Sequence, residues 1–288
     1  MPTIVLPLLL LSATLHAGWN LMLKRSPDKF TFTWLAMAVS AAVASPVLWV
    51  LDFSISGRLA LYLIASAVAE CAYFIALSKA YGAGDISVVY PLARGSAPIY
   101  IAIWSQWLLH ERLRAPGWLG ILLIVVGIYM INSRKWGDLM KPLLTVGERP
   151  AQWALAAGLC TSLYSLADKL GVALMPPPVF ITISFGLTAL LLTPYVGRLR
   201  GRNALWLEVK QRGGAMVVGG LMVMAAYLMV LYAMTLADLS RVGAAREVSI
   251  VIGALLGWLV QKEAFGLRRT LSAMLIFLGI FLISLRID

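Results

Sequence analysis

The chain has 288 residues, 61% of them apolar and only 13% charged, with a formal net charge of +11. Soluble domains carry about 25% charged residues, so a mean hydropathy of +0.86 excludes a water-soluble fold and puts most of the surface against lipid. The positive charge does not mark a nucleic-acid binder, because the Lys and Arg sit in short connections beside apolar segments rather than in polar runs interleaved with aromatics.

A hydrocarbon core of about 30 Å needs roughly 20 apolar residues to cross. On that measure the sequence predicts about ten transmembrane helices, over 3–23, 30–51, 58–81, 86–109, 116–132, 151–170, 178–197, 213–236, 241–261 and 268–286. The connections after every odd-numbered span hold most of the basic residues, among them Lys24, Arg25, Arg134, Lys141, Arg198, Lys262 and Arg268. The positive-inside rule then leaves both termini outside the cytoplasm. The first segment lacks a basic leader and carries polar residues near its end, which marks it as a retained helix rather than a cleaved signal.

In span 1, His16 and Asn20 are four residues apart and stack on one face, with Trp19 between them. A histidine at that depth either carries protons near neutral pH or packs against the asparagine. Span 3 holds Glu70 near its middle, with Ser66, Tyr73 and Leu77 on the same face. Span 4 holds Arg94, preceded one turn earlier by Tyr90, and contains Pro91 and Pro98. Each proline frees a carbonyl four residues back, which a span tolerates where neighbours or a wet cavity satisfy it. Span 8 holds Tyr227 and the methionines 216, 222, 224, 229 and 234, read as adaptable packing. Span 9 holds Gly243, then Arg246-Glu247, then a GxxxG at Gly253 and Gly257 for close helix packing. Lys24, Lys79 and Lys169 lie near span ends and are expected to snorkel to headgroups. Cys71 and Cys160 fall inside apolar spans and read as small packing residues.

A worn repeat runs through the chain at one constant spacing. Arg94 falls on Arg246, Glu111 on Glu263, Gly127-Ile128 on Gly279-Ile280 and Arg134 on Arg286. A polar linker, 135–150, separates a first five-helix unit, 1–134, from a second, 151–288. Five is odd, so the second unit enters the membrane with the opposite orientation, giving an inverted 5+5 repeat about an axis in the membrane plane. Spans 4 and 9 both open on Asp-x-Ser, at Asp85-Ser87 and Asp238-Ser240, a common N-cap arrangement. Helix interruptions are expected at Pro91 and Pro98 in one half and at Gly243 in the other, and matched interruptions point to a transport site.

Charges deep in a span are expensive and demand a reason. Two readings stand. In one, Glu70 and Glu247 neutralise Arg94 and Arg246 across the bundle. In the other, the arginines line a central cavity and receive an anionic or zwitterionic group in their planar forks. Glu70, Glu247 and His16 then serve as coupling or ion-pairing groups, and Tyr73, Tyr227, Tyr90, Trp19 and Asn20 complete the substrate-binding set. There is no phosphate-binding loop, nucleophile–base pair or metal-ligand set, so no enzyme, cofactor or metal is expected.

The Asp85-Ile-Ser-Val-Val-Tyr-Pro91-Leu segment, the His110-Glu-Arg-Leu113 turn and His16-Ala-Gly-Trp-Asn20 followed by Lys24 resemble the drug/metabolite transporter superfamily, specifically its EamA-type members. The resemblance covers nearly the whole chain. It implies an all-α integral membrane protein of ten helices, alternating access, and a cavity lined by helices 1, 3, 4, 6, 8 and 9. Members of that superfamily move amino acids, sugars, phosphorylated metabolites or drugs. Its small multidrug members place a Glu in the first helix, where this chain has His16. Many relatives are drawn with cytoplasmic termini, against the charge pattern here.

The expectation is therefore a secondary transporter of a small polar, anionic or zwitterionic, metabolite in the bacterial inner membrane. Its other partners are protons or a counter-substrate, and it acts as a monomer or homodimer. An exporter of neutral or aromatic amino acids and a non-transporting membrane scaffold are the alternatives.

Overall fold

The computed structural model describes residues 2–24, 26, 28–133, 137, 140–199, 202–261 and 266–285. Arg25, Arg134, Lys262, Glu263 and Arg286 lie outside them. Long apolar runs with few breakers leave the backbone only its own hydrogen bonds to make, and among the described residues the chain forms thirteen helices and no strand. They are α1 (Val5–Lys24), α2 (Lys29–Ala44), α3 (Val47–Val50), α4 (Gly57–Ala83), α5 (Ile86–Leu108), α6 (Ala115–Asn132), α7 (Lys141–Leu144), α8 (Arg149–Gly171), α9 (Pro177–Leu199), α10 (Arg202–Leu236), α11 (Leu239–Ala245), α12 (Val248–Gln261) and α13 (Leu267–Ser284).

Each expected span coincides with one helix or with a broken pair. Among the described residues, six stretches are long and apolar enough to cross a membrane by length and composition: Lys29–Val50, Gly57–Ala83, Ala115–Asn132, Pro177–Leu199, Val209–Leu236 and Leu267–Ser284. Helix α8 carries Arg149, Asp168 and Lys169, and the ninth segment is divided into α11 and α12.

The helices pack mainly across the polar linker rather than within each half. The most extensive contacts join α4 to α8, α6 to α13, α5 to α8, α1 to α10 and α2 to α9. Small residues permit this closeness: Ala151, Ala154 and Ala157 on α8 meet Ala76 and Ala80 on α4 and Ala93 on α5. Leu61, Ile64 and Val68 are exposed on one side of α4, while Leu63, Ser66 and Ala67 are buried on the other. Three of the span-8 methionines, Met216, Met224 and Met234, are buried, as expected of packing residues.

The interruption expected at Pro91 and Pro98 is not found. Helix α5 runs through both prolines, since each removes only one backbone bond while α8, α6 and α11 clasp the helix around them. The break lies in the ninth segment, at Arg246-Glu247 and not at Gly243. There the backbone tightens to three-residue bonds, Glu247 N to Ala244 O at 3.1 Å, Ser249 N to Arg246 O at 3.1 Å and Ile250 N to Glu247 O at 3.0 Å. Gly243 instead gives room to α5, because a Cβ there would stand 3.0 Å from Ile101 Cδ1.

Helices α6 and α13 touch backbone to backbone. A Cβ on Gly120 would lie 2.5 Å from Gly279 O, and one on Gly279 would lie 2.5 Å from Gly120 O. Gly279→Ala is expected to destabilise the folded protein by about 1–3 kcal/mol, the range for overpacking. Gly253→Ala, where nothing lies within 4 Å, should be nearly neutral. Thermal melts of both variants in detergent check the difference.

Candidate substrate cavity

Arg94 projects from α5 and Arg246 from the tightened turn between α11 and α12, and both reach one cavity. His16 lines it from α1 and Tyr227 from α10. The backing comes from Ser12, whose Oγ donates to Ala226 O at 2.7 Å and so ties α1 to α10. The cavity is narrow, about 20 Å³, room for a water or two rather than an organic molecule.

The two arginines are held differently. Arg94 Nη2 lies 3.3 Å from Glu247 Oε2 and donates to Ser249 Oγ at 3.2 Å. Its Nε is buried with no hydrogen-bond partner among the described residues, so the site holds an orphaned donor. Arg246 has no carboxylate at ion-pairing distance among the described residues. Its guanidinium instead rests on the Tyr227 ring, 5.1 Å from the centroid. Arg94 has a carboxylate at ion-pairing distance, whereas Arg246 meets Glu247, Asp168 and Glu70 only from farther off.

The acids divide in the same way. Glu247 braces Arg94, but Glu70 pairs with no arginine among the described residues: it accepts from Thr188 Oγ1 at 2.9 Å. Tyr73 stands behind the cavity, edge-on to Tyr164, which is edge-on to Tyr227, with centroids 6.1 and 6.3 Å apart. Tyr90 lies one helical turn before Arg94 and is partly exposed. Trp19 and Asn20 are not part of the cavity. Trp19 is buried against Phe32 with centroids 5.4 Å apart, and Asn20 is exposed.

Sequence reasoning missed Asp168, which is 1% exposed and accepts from Ser66 Oγ at 2.5 Å and from the Tyr227 hydroxyl. The signal was present: an acid in an apolar segment, next to a lysine taken for a snorkelling residue. Lys169 does not snorkel. Its ammonium donates to Met234 O at 2.6 Å and Ala237 O at 3.0 Å, capping the end of α10. Lys79 lies over the Trp153 ring, 4.4 Å from its centroid, and the side chain of Lys24 lies outside the described residues.

The expected cap of α11 also changes hands. Asp238 occupies the N-cap position but makes no side-chain cap bond; it pairs with Arg241 at 3.3 Å. The cap is Glu111, whose carboxylate accepts from Leu239 N at 2.6 Å, Ser240 N at 3.0 Å and Ser240 Oγ at 2.7 Å. His110 precedes it with φ 55°, in the left-handed region. Lys169 and Glu111 therefore clamp the α10–α11 corner from two sides.

The sequence profile of the EamA-like transporter family matches twice, over residues 3–133 and 149–285. The chain belongs to the EamA-like transporter family. A solved crystal structure shares its fold, with a TM-score of 0.74 at 18% identity, over 98% of this chain and 96% of that one. Among similar proteins are the spermidine export protein MdtI of Salmonella arizonae, 40% identical over 100 residues, which are 34% of this chain and 89% of that protein. MdtI of Citrobacter koseri is 38% identical over the same shares. The molecule is thus a multi-span membrane transporter of small organic molecules.

Removing one member of the Arg94–Glu247 pair leaves the other charged group buried without its partner. Glu247→Gln is expected to cost up to about 3 kcal/mol, the low end for a buried pair because Arg94 keeps a cavity face. The Arg94→Gln/Glu247→Gln double variant should recover part of the loss. A double-mutant cycle read by denaturation in detergent measures the coupling.

Proposed function

We propose that the protein is a secondary transporter of a small anionic or zwitterionic metabolite in the bacterial inner membrane, working by alternating access. The observation that carries this reading is the Arg246 guanidinium, held on an aromatic face at a cavity with no carboxylate within ion-pairing distance among the described residues. Such a fork binds a carboxylate or phosphate in a bidentate way. The orphaned Arg94 Nε adds a donor for the same anion. The cavity is too narrow for a metabolite, which fits a contracted member of a pair of states. The tightened backbone at Arg246-Glu247 is a natural point of movement between them.

The two profile matches and the packing of helices across the linker support an inverted repeat of units 1–134 and 151–288. We take both termini as outside the cytoplasm, on the distribution of basic residues. We take coupling to be to protons or a counter-substrate, with Glu70, Glu247 and His16 as the coupling or ion-pairing groups. The protein acts as a carrier and not as an enzyme.

A polycation is the second reading, favoured by the spermidine export proteins among the relatives and by the acids Asp168, Glu70 and Glu247 in the bundle. It ranks lower because two guanidiniums line the cavity, while Asp168 and Glu70 are turned to hydroxyls away from its wall.

A thermal-shift panel of carboxylates, phosphates, amino acids and spermidine decides between them. An anionic or zwitterionic compound is expected to stabilise the parent and to bind about 10–100-fold more weakly to Arg246→Gln, the loss of a charged hydrogen bond. Stabilisation of parent, Arg94→Gln and Arg246→Gln alike overturns the arginine site, and stabilisation by spermidine alone favours the polycation.

A further inference from the structure

Asp168 is a carboxylate in the middle of the bundle whose contacts are all hydroxyls. Ser66 Oγ donates to one oxygen at 2.5 Å, and the Tyr227 hydroxyl donates to the other. Ser66 Oγ is itself 3.2 Å from Ser184 Oγ. Four helices, α4, α8, α9 and α10, therefore meet around one buried acid. Burying an acid in a membrane bundle is expensive, and anchoring four helices does not require one, since a neutral amide could accept from one hydroxyl through its oxygen and donate to the other through its nitrogen.

What an acid adds is its effect on Tyr227. That side chain is fixed at three places: its hydroxyl on Asp168, one ring face against Phe185 at 6.2 Å and 17°, and its edge to Tyr164. The ring also carries the Arg246 guanidinium at 5.1 Å. An acceptor carboxylate draws on the phenolic proton, pushes electron density into the ring, and so strengthens its grip on the cation. Polarisation passes along this chain from a side chain outside the cavity to one inside it.

We infer that Asp168 is a positioning residue for the substrate cavity, acting through the Tyr227 hydroxyl to fix where the Arg246 guanidinium stands. The inference rests on the reading of the cavity as a substrate site. A guanidinium held in this way presents its fork already oriented, so an arriving anion does not have to order it. Glu70, one turn beyond Ser66 on α4, is tied to Thr188 Oγ1 at 2.9 Å and lies near enough to Asp168 for the two acids to interact.

The probe is phenylglyoxal, which modifies arginine, applied to the full-length protein in lipid nanodiscs and read residue by residue by mass spectrometry. Arg94 is the internal control, because it lines the same cavity but is held by Glu247 and Ser249. Tyr227→Phe and Asp168→Asn should each raise the ratio of Arg246 to Arg94 modification about fivefold, the release expected for a cation–π restraint. Asp168→Glu should return the ratio towards the parent value. Should Asp168→Asn fail to fold, Tyr227→Phe, which leaves the carboxylate in place and removes only the hydroxyl, carries the test. An unchanged ratio in Asp168→Asn or in Tyr227→Phe overturns the inference, as does a parallel rise at both arginines, which reports general loosening. No substrate is needed, so this result is independent of whether a transported metabolite is found.

Discussion

A guanidinium stays charged wherever it is put, and a bilayer interior gives it no water to offset the charge. That constraint organises the centre of this protein. Arg94 is answered by Glu247 and Ser249. Arg246 is answered by an aromatic face, and that ring is braced in turn by Asp168, Phe185 and Tyr164. Arg94 needs partners from the other half of the chain, and the ring under Arg246 needs Asp168 from α8 and Phe185 from α9, so the bundle must close before either is satisfied. The site and the fold are secured by the same contacts.

Helix termini follow the same logic. The corner between α10 and α11 exposes carbonyls on one side and amides on the other. A lysine from α8 takes the carbonyls and a glutamate from the turn before α6 takes the amides. The glutamate comes from the first half of the chain and the lysine from the same half as the corner. The corner sits just before the backbone break at Arg246-Glu247, so the clamped end and the tightened turn stand one short helix apart.

Much of the architecture was legible in the primary structure because membrane spans obey a length rule and because Arg94 and Arg246 recur at matched positions. The two arginines, His16 and Tyr227 were picked out for lying at depth, and the cavity gathers all four. Which face each helix turns inward was far less legible. On α4 both sides are apolar, so Leu63 inside and Leu61 outside cannot be told apart by periodicity. Trp19 was misjudged for the same reason, since an aromatic at depth serves packing as readily as a cavity wall. Asp168 was overlooked because it stands beside Lys169, and a charged pair near a helix end looks like an interfacial feature until Ser66 and Tyr227 are seen to converge on it. The cap supplied by Glu111 was hidden behind Asp238, a residue in the right position whose side chain makes no cap bond.

If the arginines serve a substrate, water must reach them from one side of the membrane through the cavity inside the bundle. The most direct test replaces Cys71 and Cys160 by serine, introduces Ser249→Cys in the cavity wall or Leu122→Cys on the exposed face of α6, and applies a membrane-impermeant thiol reagent to sealed vesicles of known orientation. The account predicts that the cysteine at 249 reacts from one side and is protected by a bound anion, while the one at 122 does not react. A cysteine at 249 as inert as the one at 122 from both sides would mean a dry interior and would contradict it.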